Sequence, residues 1–382
     1  MHILIAPNAF KHSLSADKAA LAIQEGLRRS KLLHSSACFP IGDGGDGTTA
    51  IIIRHCKGNI EELIVHDPLG RKISASYGLI DSGQTAVIEM ANASGLQLLK
   101  PGELKPLGAN SFGTGELIRS ALEHGARKIV IAMGGSATVD GGVGIMQALG
   151  ARFLDADQNE LTTIPADLES LNAVDLSALD KRLERCMITV LCDVDNLLLG
   201  SKGSATIFGP QKGASAEDIK KLNAGLARLA EVALLQTGKN MATVTYGGTA
   251  GGAAAGMHAF LNADLTNGIN HFLDLTNFDA ALSKANLVIT GEGSIDEQTL
   301  QGKGPFGVAS RAKNKKLPVI ALAGKVPLQQ HNGLLEYFDA ILPIGNRPTY
   351  PDSAFAQTES NLIRTAETLG NLLALNKSYI YL

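Results

Sequence analysis

Seven stretches of this chain set glycine, or an acidic strand tip, after a short apolar run, and most also carry a carboxylate, a lysine or a serine. They read GDGGDGT at 42–48, AMGGSATVDGGVG at 132–144, CDVDN at 192–196 and FGPQKGAS at 208–215. YGGTAGGAAAG at 246–256, TGEGSIDEQTLQGKGP at 290–305 and LAGKVP at 322–327 complete the set. Glycine after a strand lets backbone N–H groups approach a ligand closely. A neighbouring Asp can hold a metal or a proton, and a Lys a phosphate oxygen. The combination points to phosphoryl-transfer chemistry.

Each stretch also has a plainer reading. Asp43 lies at a strand tip, where open α/β sheets bind ligands. Asp46 reads equally as the cap of a helix starting near Thr48. Gly134-Gly135-Ser136 can form an anion nest, or can serve close strand–helix packing. The spacing fits neither a Walker A loop nor a good GxGxxG fingerprint. Asp193 ends a strand and reads as a functional carboxylate or as an Asx turn, with Asp195 weaker. Lys212 can reach an anion or can solvate its loop. Glu292, Asp296, Gln298 and Lys303 suit a metal–phosphate or substrate site, or form an ordinary polar loop. Ser13 or Ser15 can cap a helix, whereas Lys11 opposes the dipole there and is harder to explain structurally. The histidines show no paired ligand spacing and are assigned no metal.

These residues need strands to hold them. His2–Ala6 is an apolar run suited to a buried parallel strand. A helix with Ala19, Ala20, Ile23 and Leu27 at helical spacing follows, then a strand over Ala37–Ile41. The same β-α-β grammar returns at Leu287–Thr290, Pro318–Ala323 and Ala340–Ile344, with a last helix over Ala354–Leu375. Residues 1–60 and 286–382 therefore read as one doubly wound domain, and 61–285 as an insertion. Within the insertion, Glu61–Val65, Lys72–Gly78 and Thr85–Met90 read as an antiparallel group. Helices are expected at Thr114–Glu123, Gly142–Leu149, Ser215–Leu235, 250–262 and 269–284, and strands at Lys128–Met133 and Met187–Cys192. The segment 156–183 reads as a polar surface excursion.

The bulk numbers exclude several classes. With 382 residues, 45% of them hydrophobic, the chain can build two full cores. A net charge of −3 with scattered basic residues argues against a nucleic-acid partner. No run is long enough to span a bilayer, and no secretory leader is visible. The four cysteines show no ligand spacing and read as reduced thiols. A cytoplasmic enzyme with small-molecule partners is the expectation.

Taken in order, the motifs resemble the bacterial glycerate kinases of the type-1 family. The matching pieces are Ala6-Pro7 through Ala16, Asp43-Gly44-Gly45-x-Gly47-Thr48, GGSATxDGG at 134–142 and CDVxN at 192–196. FGPQKGA at 208–214, TGEGxxDxQTxxGK at 290–303 and LAGKV at 322–326 follow. The resemblance implies a discontinuous flavodoxin-like parallel-sheet domain interrupted by a mixed α/β domain. It implies ATP-dependent, Mg2+-assisted phosphorylation of D-glycerate to 2-phosphoglycerate or 3-phosphoglycerate. On that basis Gly134, Gly135, Ser136, Lys212 and Lys303 are candidates for the nucleotide, and Asp43 and Asp296 for magnesium. Asp193, with Lys11, is the candidate for catalysis, and Ser13, Asp43 and Glu292 for the substrate. The chain departs from the family pattern at Asn8-Ala9 (usually Asp-Ser), Asp46 (Glu), Val139 (Asn) and Asp195 (Thr), and Glu160–Leu168 lacks glycine. The competing readings are a kinase for a related hydroxy acid or sugar acid, and a binding module without turnover.

Overall fold

Short apolar runs broken by glycine give this chain its strands. The computed structural model describes residues 1–329, 332–347 and 351–375. In chain order the strands are β1 His2–Pro7, β2 Ser35–Cys38, β3 Asn59–His66, β4 Lys72–Ile80, β5 Thr85–Glu89 and β6 Lys128–Ala132. Then come β7 Arg152–Leu154, β8 Ala173–Asp175, β9 Met187–Cys192, β10 Asp264–Asn267, β11 Leu287–Ser294, β12 Val319–Lys325 and β13 Ala340–Pro343. The chain folds as two compact units, Met1–Asp43 with the chain from Ile269 onward, and Gly44–Gly268.

The first unit holds a five-stranded sheet in the order β13-β12-β11-β1-β2. Every pairing is parallel, with Ile3 opposite Leu287 on one side and Ser36 on the other. Read from β2, this is the flavodoxin-like order, whose ligand crevice lies where β1 meets its non-sequential neighbour. Helix Ala16–Arg29 buries Ala19, Ala20, Ile23 and Leu27 against this sheet and packs on helix Thr358–Leu375. Ser15, not Ser13, caps it, accepting from Lys18 N at 3.4 Å, and Asp17 and Arg28/Arg29 complement its dipole.

The second unit holds a six-stranded mixed sheet in the order β10-β9-β6-β5-β4-β3. β5, β6, β9 and β10 run parallel, and β3 and β4 form the antiparallel edge. The β3–β4 turn is an Asx turn: Asp67 Oδ1 accepts from Leu69 N and Arg71 N, and Gly70 takes φ +82°. Helices Phe112–Glu123, Val143–Ala148, Ala216–Thr237 and Ala253–Leu261 bury their apolar faces in its core.

Four local expectations change. The second strand ends at Cys38, although Phe39 N and Ile41 N still donate to Ile5 O and Pro7 O on either side of Pro40, which has no N–H. The segment 156–183 is no mere surface excursion, since β8 pairs with β7 and Leu161, Ile164, Leu168, Leu171 and Leu183 join the core. The helical stretch expected over 269–284 is two helices, Gly268–Leu275 and Phe278–Leu282, preceded by the unexpected strand β10. Its sequence, Asp-Leu-Thr-Asn, has one apolar residue, so no periodicity announces it. The units divide at residues 43/44 and 268/269: helix Thr48–His55 packs on β4 and β5, while Phe278 stacks edge-on against Phe39 at 5.1 Å.

Candidate active site

The candidate residues fall into two groups, one in each unit. In the first unit they gather beyond the carboxyl ends of β1 and β11. The chain leaves β1 through Asn8, whose Nδ2 donates to Asp43 Oδ2 at 2.8 Å. Gly304, which opens the helix Gly304–Asn314, has no room for a Cβ beside Asn8 and Ile41. That helix therefore begins at the Asn8–Asp43 pair, where its dipole favours a carboxylate.

Glu292 lies at the β11 tip, 9% exposed. Its Oε1 accepts from Thr299 Oγ1 at 3.1 Å. Burial pushes its carboxyl up to about 7, and the charge of Asp43 adds to the rise. Lys303 and Lys11 oppose it, so both cations act on this carboxylate. Lys303 is also the N-cap residue of the helix Gly304–Asn314, where the dipole disfavours a cation. Attraction to Glu292 offsets that cost. Asp296 is an N-cap: its Oδ1 accepts from Gln298 N at 3.0 Å, and its own N–H donates to Thr299 Oγ1. The Ser13 hydroxyl is engaged by the C-terminal helices, bonding Phe355 O at 2.7 Å and Thr358 Oγ1 at 2.6 Å.

In the second unit the parallel strands β6 and β9 point their carboxyl ends at one cavity of about 90 Å³. Gly134, Gly135, Ser136, Asp193, Gln211 and Lys212 are among its walls. Gly135 takes φ +70°, and a Cβ there would strike the Asp46 carboxylate. Asp46 therefore flanks the nest and does not cap a helix: the N-cap of Thr48–His55 is Gly47, without a side-chain bond. Lys212 is buried, with Nζ donating to Ser136 Oγ at 2.9 Å and Thr138 O at 2.7 Å. Burial pulls its amine down to about 7, against the charge of Asp140. Asp193 is half-buried and Asp195 exposed. A larger groove of about 650 Å³, with Leu21, Arg28 and His34 among its walls, contains none of these residues.

Three residues that hold the site were assigned no role from sequence. Asn8 orients Asp43. Asp140, fully buried, accepts from Ser111 N and Oγ, Gly142 N and Gly144 N, and so shapes the glycine loop. Glu89 accepts from Gly47 N at 2.8 Å and Thr49 N at 3.3 Å, anchoring the loop that carries Asp46. Burial raises its carboxyl, and the two N–H donors oppose the rise. A lone acid closing the apolar run Thr85–Glu89 was the available signal.

Known proteins supply an independent line. The glycerate kinase family model matches residues 3–374. Glycerate 2-kinase of Escherichia coli K12 is 42% identical over 379 residues, covering 98% of each chain. Glycerate kinase of Bacillus subtilis 168 is 40% identical over 378 residues, covering 99% of each. A crystal structure assigned as glycerate kinase 2 from Salmonella typhimurium LT2 superimposes with a TM-score of 0.85 at 41% identity, covering 99% of both chains. With the family model spanning nearly every residue and relatives alike from end to end, this chain belongs to the glycerate kinase family.

Proposed function

We propose that this protein transfers the γ-phosphoryl group of ATP to a hydroxyl of D-glycerate, with 2-phosphoglycerate as the product. The observation that carries this reading is the end-to-end likeness to glycerate kinases, among them one named a glycerate 2-kinase. The glycine nest beside a buried lysine supports the nucleotide half of it.

Roles divide by chemistry. Gly134, Gly135 and Ser136 offer donors to phosphate oxygens, and Lys212 and Lys303 offer cations. Asp193 accepts the proton of the attacking hydroxyl as the new O–P bond forms and the bond to the ADP oxygen breaks. Glu292 and Lys11 are the candidates for the substrate, since a cation suits the glycerate carboxylate. Among the described residues no group of three or more His, Cys, Asp or Glu is arranged to hold a metal. Magnesium carried with a nucleotide needs only one or two carboxylates, so the residues fit: Asp43 and Asp296 would hold it, directly or through water. Bound there, the ion would neutralise charge on the transferring phosphoryl group. Burial raises all four cysteine thiols, which supports reading them as inert.

The test is phosphorus NMR of a reaction containing D-glycerate, ATP and magnesium, with coupled detection of ADP. A 2-phosphoglycerate resonance is expected. ADP release that does not depend on glycerate, or no release at all, removes the proposal.

A further inference from the structure

Lys212 ends the 3-10 turn Pro210–Lys212 and is 3% exposed. Its two hydrogen bonds, to Ser136 Oγ and Thr138 O, both reach neutral oxygens. A neutral amine has two N–H groups, and an ammonium has three. The two acceptors match the neutral form and leave an ammonium with one donor to place. The same side chain lines the cavity with Gly134, Gly135 and Asp193.

One carboxylate acts on this amine and another borders its cavity. Asp140 lies further along the glycine loop, its carboxylate engaged by Ser111, Gly142 and Gly144. Asp193 lies at the tip of β9 and borders the same cavity. Asp140 favours the ammonium, but burial outweighs it and leaves the amine titrating at about 7. An anion arriving beside the amine shifts that balance back toward the charged form.

We propose that a phosphoryl oxygen of the nucleotide takes the third N–H of Lys212, and that Lys212 gains one proton from solvent as the nucleotide binds. This rests on the nucleotide reading above and deepens it. Lys212 is then a neutral tie on the glycine loop in the free protein and a cation in the complex. The Nζ lone pair takes the proton from buffer, and no bond of the nucleotide breaks.

Calorimetric titration with ADP at about pH 8, in two buffers of different ionisation enthalpy, counts the protons exchanged. Close to one proton taken up per ADP is expected for the wild-type protein. K212R carries a permanent cation and K212M has no titrating group, so uptake should fall to near zero in both. Wild-type affinity should weaken by up to tenfold per pH unit above pH 7, and that of K212R should stay flat. ADP binding without uptake in the wild-type protein overturns the proposal, as does uptake that survives in K212R. Glycerate-dependent turnover of the wild-type protein, measured alongside, tells failure of this proposal from failure of the nucleotide reading. If ADP does not bind and turnover is also absent, the nucleotide reading fails and the proposal with it.

Discussion

Glu292 in the first unit and Lys212 in the second are both buried beside loops that follow strand ends, and burial moves them in opposite directions. The carboxyl rises to about 7 and the amine falls to about 7. Desolvation disfavours whichever form is charged, so one physical cause brings an acid and a base to the same pH. Their settings differ. Glu292 has a second carboxylate, Asp43, and two lysines acting on it, which suits a site that handles cations and an acidic substrate together. Lys212 has glycine amides and neutral oxygens, which suit an oxyanion. The two units thus supply complementary chemistry, and the sharpest tests are those that disable one and spare the other.

The largest effect is expected at the proton acceptor proposed in the second unit. Asp193→Asn should lower kcat by roughly 100- to 10,000-fold, the range typical of a lost general base. Circular dichroism and ADP affinity should stay near wild type. A variant with normal kcat would take Asp193 out of the mechanism and leave the nest as a binding feature alone.

The next effect compares the units through pH. The unfolded carboxyl of Glu292 titrates near 4.5, so between about 4.5 and 7 the folded chain binds the extra proton and stability falls as pH rises. Glu292→Gln should therefore gain on the wild type across that window, by at most roughly 3 kcal/mol, and then plateau. Lys212 has the opposite sign. Between about 10.5 and 7 the unfolded chain binds the extra proton, so stability falls as pH drops. Lys212→Met should gain on the wild type with falling pH, by at most roughly 5 kcal/mol, from a baseline lowered by its two lost hydrogen bonds. Urea unfolding at a series of pH values reads both slopes. Slopes of the same sign would break the comparison.

How much of this was legible beforehand depends on the distance over which each cause acts. An apolar run meeting glycine or an acid is a local signal, and it located the tips carrying Asp43, Gly134, Asp193 and Glu292. The antiparallel edge of the second sheet was equally visible in alternating residues and an Asp-Pro-Leu-Gly turn. Burial of a charge is not local. Nothing in FGPQKGAS tells that Lys212 is covered while Lys202 is exposed, because the cover comes from Ser136 and Thr138 more than seventy residues away. Glu89 was missed for the same reason, since its partners lie on the loop at Gly47 and Thr49. Ser13 looked equivalent to Ser15 because the helix Thr358–Leu375, which engages it, is invisible from residue 13.

A smaller effect is expected at the nest itself. A Cβ on Gly134 would lie 2.6 Å from Gly45 Cα and 3.1 Å from Gly44 O. Gly134 N also donates to Gly44 O at 3.0 Å. Both neighbours are backbone, so neither can rotate away. Gly134→Ala should cost about 1–3 kcal/mol through overpacking and should raise the KM for ATP while leaving that for glycerate unchanged. Thermal unfolding and steady-state kinetics check the two halves. Equal rises in both KM values would mean that the loop does not act on the nucleotide alone.

The smallest effect separates two duties of one carboxylate. Asp296 caps the 3-10 turn Glu297–Gln301, and its backbone N–H meets Thr299 Oγ1, the hydroxyl that donates to Glu292. Loss of the cap alone should cost about 1 kcal/mol. Asp43 takes a donor from Asn8 and adds its charge to that of Glu292. If magnesium is held directly by Asp43 and only through water by Asp296, Asp43→Ala should raise the magnesium midpoint much more than Asp296→Ala. Magnesium titrations of turnover in the two variants, with thermal unfolding alongside, order the effects. A larger shift in Asp296→Ala would move the metal's main ligand from β2's end to the loop after β11, and Asp43 would then serve the substrate alone.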